Sequence, residues 1–235
     1  MMARQGGHSG GKTPGGKPPG GRTPGGKASG GQRPETGPRE PDTSPGLAAR
    51  RIAVAALSAV LDENKALDES LDRLLQREGA GLEPRDRGLA RAIATVGIRR
   101  FGTIRGALLA RLRSGMPERA GRFADILVAA CAQLLFLDVP DHAAVDLAMR
   151  LIHEDREADR FANLANAVLR RVSREKDQIL AASDPLDDDT PPWLKTRWVA
   201  AWGQETARAI AAAHRNEAAV DISVAADPEG WAERL

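Results

Sequence analysis

The sequence contains a single cysteine, no tyrosine, and only four phenylalanines and four tryptophans among its 235 residues. One cysteine excludes an internal disulfide and any zinc site built on several cysteines, and it agrees with a reducing compartment. Because aromatic side chains are scarce, we do not expect base stacking to dominate a contact with nucleic acid. No apolar run approaches the roughly 20 residues of a membrane-spanning helix. The longest run, Ile126 to Leu137, suits a helix buried in a core.

Motifs that would indicate catalysis are also missing. The two glycines of the C-terminal third, Gly203 and Gly230, follow no predicted strand, so no glycine-rich cofactor loop is predicted there. Cys131 falls on the buried side of an apolar helix, where a thiol is inaccessible and its pKa is raised. His142 and His153 would lie about 16 Å apart on one helix, too far to share a metal ion. We therefore predict no catalytic residue and no metal site.

The positive charge of the chain is concentrated at its N-terminus. Residues 1–46 contain seven Lys and Arg but three Asp and Glu, whereas the whole chain has a net charge of +2. From Gly10 a five-residue pattern repeats (GGKTP, GGKPP, GGRTP, GGKAS) with nothing apolar to bury. We predict a disordered tail, either a solubilising arm or a weak polyanion-binding arm, with no export signal. The folded body is net acidic and would need a local basic patch to bind a polyanion.

After Gly46 the apolar periodicity predicts an all-α fold, a bundle of helices. The predicted long helices cover Leu47 to Leu61, Pro84 to about Arg100, Phe123 to Leu137, a stretch that begins at Pro140, and Asp159 to Leu180. Shorter helices are predicted around residues 67–75 and 102–112.

The region after the bundle is predicted to be organised differently. Residues 183–192, which include Asp187, Asp188 and Asp189, are predicted to be a solvated linker. Two shorter helices, one strand over residues 219–226 and a further helix that begins at Asp227 and Pro228 are predicted beyond it. A single strand with part of a helix cannot form a stable layer. We therefore expect residues 193–235 to be the truncated start of a small α/β domain, and the chain to be a fragment.

Paired arginines are the strongest indication of function. The candidate RNA-binding residues are Arg50, Arg51, Arg99, Arg100, Arg170, Arg171 and Arg174. In the last long helix, Asn163, Arg170 and Arg174 point away from the apolar face. Guanidinium groups on such a face could bind phosphates in a forked geometry. The alternative for any one pair is an ordinary solvated helix face.

Four segments carry a resemblance to a known family. "LDVPDHAAVDLAMRL" and "FANLANAVLRRV" resemble the paired signature of NusB-like domains, and "RDRGLARAIATVGIRR" resembles the helix before them. "PPWLKTRWVAAWG" is similar to the segment that follows this domain in RsmB/Sun-type rRNA cytosine carbon-5 methyltransferases. Pro140, His142 and Asn166 match motif positions and are expected to be scaffold residues that fasten neighbouring helices. "PDH" departs from the commoner "PPH", and Ala167 replaces a frequent glycine.

The resemblance implies a NusB-like RNA-binding domain over residues 47–182. That domain would dock on RNA, expected to be small-subunit rRNA, in the cytoplasm and position a C-terminal methyltransferase domain in cis. S-adenosylmethionine and the catalytic cysteines would belong to that further domain, so this chain is expected to be inactive alone, with no membrane partner. Two alternatives remain open. One is a NusB-type transcription antitermination factor, which would not need residues 185–235; the other is a helical protein–protein adaptor without RNA contact.

Overall fold

The structure, a computed structural model, describes residues 46–218 and 223–234. The predicted basic tail lies outside the described residues, apart from Gly46. In chain order the helices of the described part are α1 (Leu47–Leu61), α2 (Leu67–Arg77), α3 (Pro84–Arg99), α4 (Phe101–Leu109), α5 (Phe123–Phe136), α6 (Asp141–Glu154), α7 (Arg156–Asp159), α8 (Ala162–Arg174), α9 (Lys176–Ala182), α10 (Pro192–His214) and α11 (Pro228–Ala232). The predicted helical bundle is confirmed.

Helix α5 forms the centre of the bundle. Twelve of its 14 residues are buried, as expected for a helix that is apolar on nearly every side. It packs against α1, α3, α6 and α8. Helices α6 and α8 also pack against each other. Gly97 in α3 lies against the side chain of Leu57 in α1, so its lack of a Cβ allows these two helices to approach closely. Helix α5 thus contacts α1, α3, α4, α6, α8 and α9.

The prediction of one long helix from Asp159 to Leu180 is wrong. The region forms three helices, α7, α8 and α9. The carboxylate of Asp155 caps α7 by accepting hydrogen bonds from the backbone N–H groups of Glu157 at 2.9 Å and Ala158 at 3.1 Å. Glu175 leaves helical geometry at φ −102° and ψ 15°, which ends α8. Its side chain is paired with Arg111, which follows α4, so a tertiary contact coincides with the break.

The prediction that residues 183–192 form a solvated linker is also wrong for part of the segment. Leu186 is fully buried, and the side chain of Asp189 is only 4% exposed. A Cβ at Gly102 in α4 would overlap the backbone carbonyl of Asp188, so glycine is what permits this close approach. The segment is packed against the bundle.

The region beyond this segment agrees with the predicted helices. Helix α10 contains a kink at Gly203, whose φ of 77° and ψ of 165° divide it into the two predicted shorter helices. Asp227 caps α11 as predicted, accepting a hydrogen bond from the backbone of Gly230 at 3.1 Å. Of the predicted strand, residues 219–222 lie outside the described residues, and residues 223–226 have no strand geometry. Leu186, Ala207 and Ala211 form a small apolar cluster here, apart from the main core.

Candidate functional site

A surface groove of about 430 Å³ lies between α6 and α8. Its walls include His142, Asp146 and Met149 from α6, and Asn166, Arg170 and Arg174 from α8. Each helix turns its apolar residues, such as Ala148 and Leu169, into the core, which leaves the polar side chains on the outer walls. The fold thus brings together the motif residues His142 and Asn166 with two of the predicted arginines.

The α8 wall of this groove is basic. Arg170 and Arg174 are exposed and lie one helical turn apart, about 6 Å along the axis. Nε of Arg170 donates a hydrogen bond to Oδ1 of Asn166 at 2.9 Å. Asn166 was expected to fasten neighbouring helices; the hydrogen bond of its side chain is to a guanidinium on its own helix.

The α6 wall has the opposite charge. Asp141, in the first turn of α6, accepts a hydrogen bond from the hydroxyl of Ser173, which links α6 to α8. Asp146 is paired with Arg150 at 2.9 Å. Pro140 precedes the helix at φ −56°, and His142 is exposed at the mouth of the groove. A polyanion would therefore have to approach from the α8 side.

Arg171 lies on α8 but does not line the groove. Its Nε donates to Glu175 at 2.7 Å, and the same carboxylate is paired with the buried guanidinium of Arg111. The hydrogen bond from Arg171, with help from Arg111, lowers the pKa of Glu175. Arg171 is about half exposed and retains donors that face solvent.

The arginine pair in α1 has structural partners. Arg50 is only 5% exposed, and its guanidinium donates to Oε1 of Gln133 at 2.7 Å and to the carbonyl of Gly46 at 3.0 Å. Burial lowers the pKa of Arg50. Arg51 binds Glu154 of α6 through two hydrogen bonds, at 2.9 and 2.6 Å. Because the guanidinium of Arg50 is turned inward, the fold does not present it to a ligand at the surface.

Arg99 and Arg100 lie where α3 ends, next to the C-terminal segment, defined as residues 183–218 and 223–234. Nε of Arg100 is 3.4 Å from Oδ2 of Asp189, and its guanidinium lies 4.2 Å from the centroid of the Phe136 ring. Burial, and then the nearby charge of Arg215, lower the pKa of Arg100. Arg99 lines a second groove, of about 290 Å³, between α3 and α10. The predicted arginines therefore occupy at least two separate places.

Asp189, which the sequence predicted to be solvated, is bonded to several distant parts of the chain. Its carboxylate accepts hydrogen bonds from the backbone N–H of Thr103 at 2.7 Å and from the Thr103 hydroxyl at 2.9 Å. Arg215, from the end of α10, donates to it at 2.8 Å through Nε. These partners lie 86 and 26 residues away in sequence, so no local pattern could reveal them.

The buried thiol agrees with its predicted role in packing. Cys131 is fully buried, and burial raises its pKa to about 12. Within residues 46–218 and 223–234, no cluster of His, Cys, Asp and Glu has a metal-binding arrangement. No helix in that part of the chain has both the length and the apolarity to cross a bilayer.

The described residues do not fit the S-adenosylmethionine that the resemblance implies for a full-length protein. Such a nucleotide-type cofactor requires a glycine-rich turn between a strand and a helix. Gly203 lies at the kink of α10, and Gly230 lies within α11, where a Cβ would overlap the Asp227 carboxylate. No methyl-transfer step is assigned to these residues.

Comparison with known proteins places this fold in a family. The model of the NusB family matches residues 47–174. "Ribosomal RNA small subunit methyltransferase B" of Xanthomonas campestris is 34% identical over 163 residues, which covers 68% of this chain and 35% of that protein. The proteins of the same name from Xylella fastidiosa and Pseudomonas putida are 31% and 32% identical, each matched over 69% of this chain and 36% of its own length. The chain thus spans about a third of these relatives. Because the family model covers more than half of its residues, the chain belongs to the NusB family.

Proposed function

We propose that this chain is an RNA-binding region of a small-subunit rRNA cytosine carbon-5 methyltransferase. The observation that carries the proposal is the exposed basic wall of α8, where Arg170 and Arg174 stand one turn apart and Asn166 orients the first of them. A row of guanidinium forks along a helix suits the phosphates of folded RNA, which proteins recognise mainly by shape and backbone contacts. The similarity to rRNA methyltransferases supports rRNA as the partner.

The α8 surface is defined here as Arg170, Arg171 and Arg174. All three are exposed, and they are spread over the last turns of a helix whose other face is anchored by Val168, Leu169 and other buried residues. Because the body of the chain is net acidic, such a local patch is needed to overcome repulsion from a polyanion. RNA would lie along α8, away from the carboxylates of α6.

The region over residues 47–182 would dock on rRNA, and residues 193–235 would lead toward a methyltransferase domain in cis. S-adenosylmethionine and the methyl transfer itself belong, in this proposal, to the full-length protein in the cytoplasm. The role of this chain is then to raise the local concentration of the catalytic domain at its target by tethering.

The test is a salt titration of binding to small-subunit rRNA fragments. Replacing Arg170, Arg171 and Arg174 by Ala should weaken binding and reduce the slope of log K against log salt by about 2–3, since each neutralised phosphate contributes about 0.7–0.9. The matched control replaces three exposed arginines elsewhere, Arg73, Arg77 and Arg113, by Ala, which changes the net charge equally. If both triple variants lose affinity and slope to the same extent, a general charge effect accounts for binding and the α8 surface is rejected.

A second variant separates orientation from charge. Asn166→Ala keeps every positive charge but removes the acceptor that holds Arg170. We expect affinity to fall a few-fold with an unchanged salt slope, since no phosphate contact is deleted outright. An unchanged affinity would mean that Asn166 has no positioning role.

A further inference from the structure

The second groove, between the end of α3 and α10, has properties that the α8 surface lacks. It is formed jointly by the bundle, through Arg99, and by the C-terminal segment, through Thr190, Trp198, His214 and Arg215. We name it the junction groove. Its volume of about 290 Å³ is sufficient for a small polar group, and it is partly open to solvent.

Positive charge exceeds negative charge at the junction groove. Arg99 and Arg215 line the groove, and Arg215 is paired with the carboxylate of Asp189 at 2.7 Å. Arg100 lies outside the lining but shares that carboxylate, at 3.4 Å. The neighbouring carboxylate, Asp188, lines a different groove and accepts a hydrogen bond from the backbone of Asp184. The lining of the groove therefore contains two guanidinium groups, of Arg99 and Arg215, and one carboxylate, of Asp189.

One buried guanidinium nitrogen of the groove has no acceptor. Within the described part of the chain, Nη1 of Arg99 is buried and makes no hydrogen bond, whereas Nε of Arg100 is paired with Asp189 at 3.4 Å. A buried donor without a partner is costly, and the cost is greater for a charged group. The arrangement therefore lacks an acceptor with negative charge, which a phosphate oxygen would supply.

Two aromatic side chains also line the groove. The rings of Trp198 and His214 lie 5.3 Å apart between centroids at a tilt of 46°. Both residues line the groove together with Arg99 and Arg215. A phosphate held by the guanidinium groups would thus place an attached sugar or base beside an aromatic side chain.

We propose that the junction groove binds a phosphate group, held by Arg99 and Arg215 and flanked by Trp198. The phosphate is that of the RNA backbone, an assignment that rests on the proposed function. Because the groove is built from both the bundle and the C-terminal segment, RNA bound there contacts both parts at once. Its occupation therefore favours the packed arrangement of the two over a separated one.

The phosphate site is tested by nuclear magnetic resonance on the 235-residue chain labelled at its four tryptophan indoles. Titration with inorganic phosphate, and separately with adenosine 5′-monophosphate, at constant ionic strength should shift the indole signal of Trp198, which Trp198→Phe identifies. Arg99→Gln should raise Kd for both probes about tenfold, the effect of losing one charge-assisted hydrogen bond. Arg113→Gln, at an exposed arginine outside the groove, should leave Kd unchanged. Wild-type Kd in Arg99→Gln overturns the site.

Arg99→Lys is a second variant that tests the site if Arg99→Gln does not fold, because lysine keeps the charge and the apolar stem. It should bind phosphate less tightly than wild type but fold normally, since a lysine cannot reproduce the guanidinium fork. Unchanged phosphate affinity in a folded Arg99→Lys protein would overturn the assignment of the fork to Arg99.

The source of the phosphate is tested by RNA binding across salt. If the RNA backbone occupies the groove, Arg99→Gln lowers the salt slope by about 0.7–0.9, independently of the α8 arginines. If phosphate binding is lost but RNA affinity and slope stay at wild-type values, the RNA assignment is overturned. The phosphate titration needs no RNA, so failure of the proposed function and failure of the junction groove give different results.

Discussion

Replacing Asp189 by Ala removes the carboxylate at which the C-terminal segment is bonded to the bundle. The carboxylate accepts hydrogen bonds from the backbone and the hydroxyl of Thr103, and from Arg215 at 2.8 Å. The side chains of Arg100 and Arg215 are only 14% and 13% exposed. Without Asp189, two largely buried charges would lose their compensation.

We expect the free energy of unfolding to decrease by about 3–5 kcal/mol, the usual result of removing one partner from a buried ion pair. That is a large fraction of the roughly 5–15 kcal/mol by which a folded domain is stable. The apolar cluster of the segment itself contains only Leu186, Ala207 and Ala211 as buried residues. Such a small cluster cannot hold the segment in place alone, so we expect the segment to separate before the bundle unfolds.

The positions of the tryptophans make this separation measurable. All four, Trp193, Trp198, Trp202 and Trp231, lie in the C-terminal segment, whereas most helical residues belong to the bundle. Tryptophan fluorescence therefore reports the segment, and far-ultraviolet circular dichroism reports mainly the bundle. In urea, the two midpoints should coincide in the wild type. In Asp189→Ala the fluorescence midpoint should move to a clearly lower urea concentration than the dichroism midpoint.

Asp187→Ala is the matched control on the same segment. The Asp187 side chain is 48% exposed and pairs with Lys195 and Arg208 on the surface. Its removal should therefore lower the free energy of unfolding by less than about 1 kcal/mol. If Asp189→Ala keeps the wild-type midpoints, or if Asp187→Ala separates them equally, the buried network does not hold the segment.

Three further predictions follow from burial and close contact. Burial raises the pKa of Asp125 to about 6 from 3.8, so the folded chain retains a proton that the unfolded chain releases. The free energy of unfolding of the wild type, relative to that of Asp125→Asn, should therefore fall by about 1–3 kcal/mol as pH rises from 4 to 7. Urea unfolding of both proteins measures this difference. Cys131, fully buried, should react with a thiol reagent only after unfolding. Gly102→Ala should destabilise the chain by more than about 1 kcal/mol because it overlaps the Asp188 carbonyl, whereas Gly106→Ala, with open space around it, should be neutral or stabilising.

The local pattern of the sequence was sufficient for most helices. The bounds of α1 match the predicted Leu47 to Leu61, and α5 ends one residue before the predicted Leu137. The apolar stripe of α8 also predicted which side of that helix is exposed. Arg170 and Arg174 are on the exposed side, while Val168 and Val172 are buried. These outcomes depend on helical periodicity alone, which acts over a few residues.

The roles of individual arginines could not be predicted in the same way. Arg50 and Arg51 are adjacent in sequence, yet one is bonded inside the core to Gln133 and the other is paired on the surface with Glu154. Their partners lie 83 and 103 residues away. Which arginine remains available for a phosphate is thus decided by distant residues that supply or withhold an acceptor.

The sequence by itself determined the helical class, the central apolar helix, the family and the positions of its motifs, because each depends on residue types at short, regular spacing. Only the tertiary structure decided that the buried Asp189 joins the C-terminal segment to the bundle and that Asn166 orients Arg170. It also decided that Arg99 faces a groove shared by two parts of the chain. The physical reason is that the energy of a charged side chain depends on its burial and its partners, and chain folding alone brings residues such as Thr103 and Arg215 within 3.3 Å.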